Sequence, residues 1–242
     1  MNDTKLINKE RKNEWLEIWK EKGQKLNSTD LNDIIKANGF DSTLGKFNSE
    51  NWYVYIKKNL KGIKLKRNST ILEYGCGAGA FLSFWYEEDF NLNGIDYSKS
   101  LVNKGRKIFP KINFKVGEIS AINKFNLKFD IIFAHSVFHY FDNYKYAKSL
   151  ILNMILNLKN EGKILILDIP DKAKEKIYKR NVEKALGKIN YRNKYSSHSH
   201  LFYEKNFFEN LAKEHKLKLK IYNQDFKKYS NSKYRYNVVI SK

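Results

Sequence analysis

The stretch "ILEYGCGAGAFL", residues 71–82, decides the fold. Its first residues make a short apolar strand. Gly75, Gly77 and Gly79 then make a turn whose backbone a ligand can approach, because glycine has no Cβ. The pattern predicts a helix over 79–88 behind the turn, with its N-terminal dipole facing the ligand. Gly75, Gly77 and Ala80 also satisfy the loose dinucleotide pattern G-x-G-x-x-G/A. Glu73 argues against a dinucleotide. A carboxylate about 4 Å from a pyrophosphate costs about 4 kcal/mol at an effective dielectric near 20, whereas a ligand with cationic groups gains from the same contact.

Outward from the turn, short strands alternate with helices. Strands are predicted at 70–74, 91–95, 112–116, 129–134 and 161–168, with helices at 79–88, 98–108 and 144–158. The apolar runs suit strands covered on both faces, and the alternation is that of an α/β, Rossmann-like, doubly wound parallel sheet. Residues 171–186 read as a charged helix, and "EKNFFENLAKEH" as another. "KLKLKIY" and "YRYNVVI" read as an antiparallel hairpin at the sheet edge. Before residue 65 the chain reads as a helical cap. Trp15 and Trp19 share one helical face, "LNDIIKANGF" stops at Asn-Gly, and Ser49 opens a helix carrying Trp52, Tyr55 and Ile56. The expected organisation is a cap over 1–65 and a domain over 66–242, with an insertion at about 171–203.

Composition bounds the function. A 242-residue chain with 42% hydrophobic residues supports one core and an appendage. The first residues are polar, with no signal-peptide core, and no apolar run reaches the length of a membrane helix. Cys76 is the only cysteine, which excludes an internal disulfide and a cysteine-rich zinc site. A cytoplasmic protein with no membrane insertion is expected. The net charge of +20 comes almost wholly from lysine spread along the chain. Arginine, the better reader of phosphate and guanine, stands only at 11, 67, 106, 180, 192 and 235. A solvated surface is therefore favoured over a nucleic-acid footprint. His135 and His139 are spaced as metal ligands can be, but the sequence offers no third ligand nearby, and no metal is expected.

Two further acidic positions follow the strands. Asp96, at the tip of the second strand in "GIDYS", can accept ribose hydroxyls. Glu118, in "GEIS", can accept from an adenine amino group, with the Ile119 N–H free to donate to a ring nitrogen. S-adenosylmethionine, which carries an ammonium and a sulfonium and no phosphate, satisfies all three acidic positions. "EYGCGAG", "GIDYS", "GEIS", "FDIIFAHSVFHY" and "LKNEGKILILD" together resemble the successive motifs of class I S-adenosylmethionine-dependent methyltransferases, over about residues 68–170. The resemblance implies a seven-stranded sheet with its last strand antiparallel. It implies that Glu73, Gly75, Cys76 and Gly77 line the methionine moiety. Asp96 would hold ribose, Tyr97 would pack near adenine, Ser98 would open the next helix, Glu118 and Ile119 would contact adenine, and the His135 backbone would lie near the methionine end.

The same resemblance places the methyl acceptor past the fourth strand. His139 is the expected general base, with His198 and His200 of the "YSSHSHLFY" insertion as further candidates. Ala134-His135-Ser136-Val137 stands where amide- and base-methylating enzymes carry an Asn/Asp-Pro-Pro-aromatic motif, so O-methylation of a small acceptor is expected. "LNDIIKANGFDSTLGKF" and "ENWYVYIKK" look similar to methyltransferases of bacterial surface-polysaccharide pathways, which implies a sugar, sugar nucleotide or phosphorylated acceptor. The alternatives are an RNA methyltransferase that uses the basic surface and a non-catalytic cofactor-binding partner subunit. The sequence leaves oligomeric state open.

Overall fold

Seven strands form one mixed sheet in the order β3-β2-β1-β4-β5-β7-β6. The computed structural model describes residues 15–41, 47–190 and 200–242. The strands are β1 (Thr70–Tyr74), β2 (Asn91–Asp96), β3 (Asn113–Val116), β4 (Phe129–His135), β5 (Leu158–Pro170), β6 (Lys218–Asn223) and β7 (Arg235–Ser241). The first five run parallel. β7 inserts antiparallel between β5 and β6. The predicted terminal hairpin is therefore present at the sheet edge, with its second strand paired to β5 and its first strand outermost.

The strands that read as continuously apolar are buried on both faces, as parallel strands under helices must be. One face carries α1 (15–25), α2 (Leu31–Ala37), α3 (Ser49–Asn59) and α4 (Lys99–Ile108), and it packs Trp15, Trp19, Trp52, Phe81 and Phe133 into one cluster. α5 (Tyr144–Leu156) and α7 (Lys205–Glu214) cover the other face. The helical cap thus shares its core with the sheet. α6 (Glu175–Leu186) follows β5, and its residues Tyr178 and Val182 pack with Phe202 and Tyr234.

Three helix starts follow their side-chain chemistry. Asp30, Asn48 and Asn143 accept hydrogen bonds from the first-turn N–H groups of α2, α3 and α5. The residue that caps α3 is Asn48, one before the predicted Ser49.

One expectation fails. No α-helix spans 79–88; the chain winds a single 3₁₀ turn, Leu82–Trp85. Ala78, Ala80, Phe81, Leu82 and Trp85 are all buried, so the first part of this segment is held by its packing, and only Glu87 and Glu88 at its end are exposed. Gly79 at φ +93° keeps the chain out of helix at its start. Packing of these apolar side chains overrides the helical pattern.

The sheet order reverses between β1 and β4. Ligands of open α/β sheets bind at such a point, outside the carboxyl ends of the strands.

Candidate active site

A cavity of about 930 Å³, open mouth included, lies at that point. Glu73, Tyr74, Gly75 and Gly77 reach it from β1 and its turn, Asp96 and Tyr97 from β2, Glu118 from β3, and His135, Ser136 and Val137 from β4. Trp15, Trp19, Asn38, Phe40 and Trp52 close it from the cap.

The glycine turn is tightly built. Gly75 has φ +77°, and a Cβ there would lie 2.2 Å from Val137 Cγ1. Gly77 has φ +54°, and a Cβ there would lie 2.6 Å from Asn38 Oδ1. Asn38 is the partner that sequence reading missed. From the end of α2 its amide donates to the Cys76 carbonyl (2.9 Å) and accepts from the Ala78 N–H (3.0 Å), clamping the turn from above. In sequence it reads only as half of an Asn-Gly stop; no local signal reveals a partner some forty residues away. Replacing Asn38 with alanine leaves a buried carbonyl without that partner. We expect a loss of about 1–2 kcal/mol in stability, measured by denaturant unfolding.

Asp96 ties the second strand to the turn. One oxygen accepts from the Gly77 N–H (2.8 Å) and the other from the Ser98 N–H (2.7 Å). Burial pushes its pKa up to about 6, against those two N–H groups. Glu73 is more extreme. It is 2% exposed, its Oε2 has no hydrogen-bond partner, and burial together with the Asp96 charge pushes its pKa well above the carboxylate range. A buried carboxylate oxygen without a partner is costly, and it marks a place where a cationic donor belongs. The absence of a helix behind the turn removes the dipole that would have favoured a phosphate.

The remaining predicted residues divide. Tyr97, Glu118 and His135 border the cavity, whereas Cys76, Ser98 and Ile119 do not. Cys76 packs under the turn, its Sγ 2.7 Å from where a Cβ on Gly94 would stand, and burial pushes its thiol pKa well up. Ser98 opens α4 through its N–H to Asp96. His135 lies between the rings of Phe40 and Phe81, with its Nε2 2.9 Å from Tyr55 Oη. Gln224 donates to that same Tyr55 oxygen, which leaves the phenol proton for His135. Burial lowers the His135 pKa to about 3, so its ring is neutral.

His139 does not border the cavity. It is buried behind Tyr140 at a ring separation of 4.0 Å, its Nδ1 without a hydrogen bond, and burial holds its pKa well below the usual histidine value. His200 packs against it at 4.7 Å and stacks on Trp15. His198 lies outside the described residues. Among the described residues no group of three or more His, Cys, Asp or Glu side chains could hold a metal, and no helix is long and apolar enough to cross a membrane.

Strand order, antiparallel β7 and a cavity at the β1–β4 reversal define the class I methyltransferase, Rossmann-like fold. A methyltransferase-domain family model matches residues 65–222, and the chain belongs to that family. It is 27% identical over 122 residues to the protein named "Putative methyltransferase 235L" of Invertebrate iridescent virus 6, a match covering 50% of this chain and 44% of that one. The chain thus matches less than half the length of that relative. Among solved structures, the plantazolicin methyltransferase BpumL, in complex with a triazolic desmethylPZN analogue and SAH, superposes with a TM-score of 0.61 at 16% identity over 99% of this chain and 98% of that one. An S-adenosylmethionine-dependent methyltransferase from Clostridium acetobutylicum gives 0.59 at 14% identity, covering 81% and 92%. A TehB-like one from Corynebacterium glutamicum gives 0.56 at 15%, covering 86% and 92%.

Proposed function

We propose that this protein is an S-adenosylmethionine-dependent methyltransferase acting on a hydroxyl of a small acceptor. The observation that carries the reading is the partnerless Oε2 of Glu73 on the cavity wall, beside a second buried carboxylate. Glu73 would hold the ammonium of the cofactor. Asp96 spends one lone pair on the Gly77 N–H of the turn and one on the Ser98 N–H, and the others remain for the ribose hydroxyls. Glu118 would take the adenine amino group, with Tyr97 against the ring. The bound cofactor supplies an already activated methyl, so the protein's task is alignment, exclusion of water and removal of the acceptor's proton.

Trp15, Trp19 and Tyr140 wall the part of the cavity that this reading assigns to the acceptor. Such rings bind a flat molecule or the CH face of a sugar. That supports a small acceptor, either a sugar derivative as in surface-polysaccharide pathways or a natural product like the plantazolicin analogue held by the structural relative. The test is incubation with methyl-labelled cofactor and a protein-free metabolite extract of the source cells, followed by mass identification of the product. Label in a small hydroxylated compound is expected. Label confined to added RNA, or no label with binding intact, overturns the reading.

A further inference from the structure

We propose that Ser136 is the catalytic residue that meets the acceptor's hydroxyl, and that buried Asp168 receives the proton through it. The proposal rests on the methyl-transfer reading above and concerns a pair that none of the predicted histidines supplies.

Ser136 follows β4 directly and borders the cavity. Asp168 lies on β5, the neighbouring parallel strand. Ser136 Oγ donates to Asp168 Oδ2 at 2.7 Å. Both residues hold left-handed backbone, Ser136 at φ +55° and Asp168 at φ +63°. Of the other non-glycine residues with positive φ, two are asparagines and one is an exposed lysine. Ser136 and Asp168 alone among them are hydrogen-bonded to each other. Conformations of this kind persist where surroundings enforce them, and they concentrate at functional sites.

The surroundings of Asp168 keep it a base. Tyr229 donates to the same Oδ2 (2.9 Å), and Arg235 Nε stands 3.8 Å from Oδ1. The Asp168 side chain is 0% exposed, and Oδ1, Arg235 Nε and Arg235 Nη1 lack hydrogen-bond partners. Arg235 thus supplies a counter-charge without closing on the carboxylate. Burial raises the Asp168 pKa above its ordinary value, opposed by Arg235, Ser136 and Tyr229. The other ionisable groups around it, Tyr55 and Tyr140, have phenol pKa values pushed up by burial and stay neutral. His135 is already committed to Tyr55, and the His139 ring is set back from the cavity.

The proton count closes. The acceptor's oxygen–carbon bond forms as the carbon–sulfur bond breaks. The acceptor's proton passes to Ser136 Oγ while the Ser136 proton passes to Asp168 Oδ2. Ser136 ends unchanged, and Asp168 ends as a carboxylic acid that returns its proton to water after product leaves.

Ser136→Gly is the decisive variant, because glycine relieves the φ +55° backbone and so offsets part of the cost of losing the bond to Asp168, whose Oδ2 keeps the Tyr229 hydroxyl. Labelling of the metabolite extract is expected to slow about a hundredfold or more, with cofactor affinity by calorimetry within about twofold. Asp168 must be ionised to receive the proton, so with cofactor kept saturating at every pH, which removes the Glu73 and Asp96 titrations from the profile, the wild-type rate rises with pH through the Asp168 pKa. That acid limb should vanish in Asp168→Asn and move to higher pH in Tyr229→Phe, which loses a bond favouring the charged form. Ser136→Gly labelling within about threefold of wild type, or an unchanged acid limb in Asp168→Asn, overturns the proposal. Should wild type label nothing, the small-acceptor reading has failed, and carboxyl carbon NMR of the unliganded protein judges the pair separately. Asp168 titrating above the ordinary carboxylate range, and higher still in Ser136→Gly, supports it; a midpoint in the ordinary range, or one unmoved by Ser136→Gly, overturns it.

Discussion

Replacing Glu73 with glutamine is expected to weaken S-adenosylmethionine binding about a hundredfold, close to 3 kcal/mol. The glutamine is nearly isosteric, so the change removes charge and little shape. The Glu73 carboxylate on the cavity wall, whose Oε2 lacks a partner, is then a neutral amide with no charge to set against the ligand's ammonium. Calorimetry at neutral pH measures the loss, and affinity unchanged within a few-fold would remove Glu73 from the assigned site. The same logic fixes the pH dependence. Burial and Asp96 raise the Glu73 pKa, so acidification neutralises it earlier than an ordinary carboxylate. Wild-type affinity should therefore fall with decreasing pH, the fall beginning above the ordinary carboxylate range, and the glutamine variant should lack most of that fall.

Stability should move the opposite way. The folded, unliganded chain holds protons on Glu73 and Asp96 at pH values where the unfolded chain has released them. Such groups favour folding at low pH, and the benefit is lost as pH rises from the ordinary carboxylate range through the folded values, about 6 for Asp96. At neutral pH the wild-type site carries two buried acidic groups whose raised pKa values disfavour the empty fold. Glu73→Gln relieves one of them and should raise the unfolding temperature of the unliganded protein while abolishing most of the rise caused by added cofactor. A site that costs stability when empty and returns it on binding is a normal arrangement for function.

The frame of this fold was legible because its signals are local and repeated. Strands buried on both faces read as apolar runs, Gly75 and Gly77 mark a turn, and Asp96 and Glu118 stand at strand tips, where the sequence places carboxylates beside that turn. What failed was decided by packing. Residues 79–88 carry a helix-like composition, but Phe81 and Trp85 are claimed on one side by Phe133 and Phe81 also by the cap through Trp52, so one 3₁₀ turn is all that forms. His139 sat at the right distance past β4, yet the turn there points Ser136 at the cavity and leaves the imidazole behind Tyr140. Asn38, Ser136 and Asp168 were invisible for one shared reason. Each acts through a partner brought near by the sheet or the cap, and a single serine or asparagine has no periodic signature.

Gly75→Ala should be the most damaging single substitution in the turn. Alanine at φ +77° costs about 1–2 kcal/mol from backbone sterics alone, and the added methyl meets Val137 Cγ1 at 2.2 Å. Valine cannot swing aside freely, because its β-branch leaves few rotamers. Overpacking of that kind adds about 1–3 kcal/mol, for an expected total near 2–5 kcal/mol by denaturant unfolding. A double-mutant cycle separates the two causes. Val137→Ala in the Gly75→Ala background should recover the clash and leave the backbone penalty. If the pair is no more stable than Gly75→Ala alone, the close approach of Val137 is not what demands glycine. Cofactor affinity should stay depressed in the pair, since the ligand reads the backbone path of the turn, which Val137→Ala does not restore.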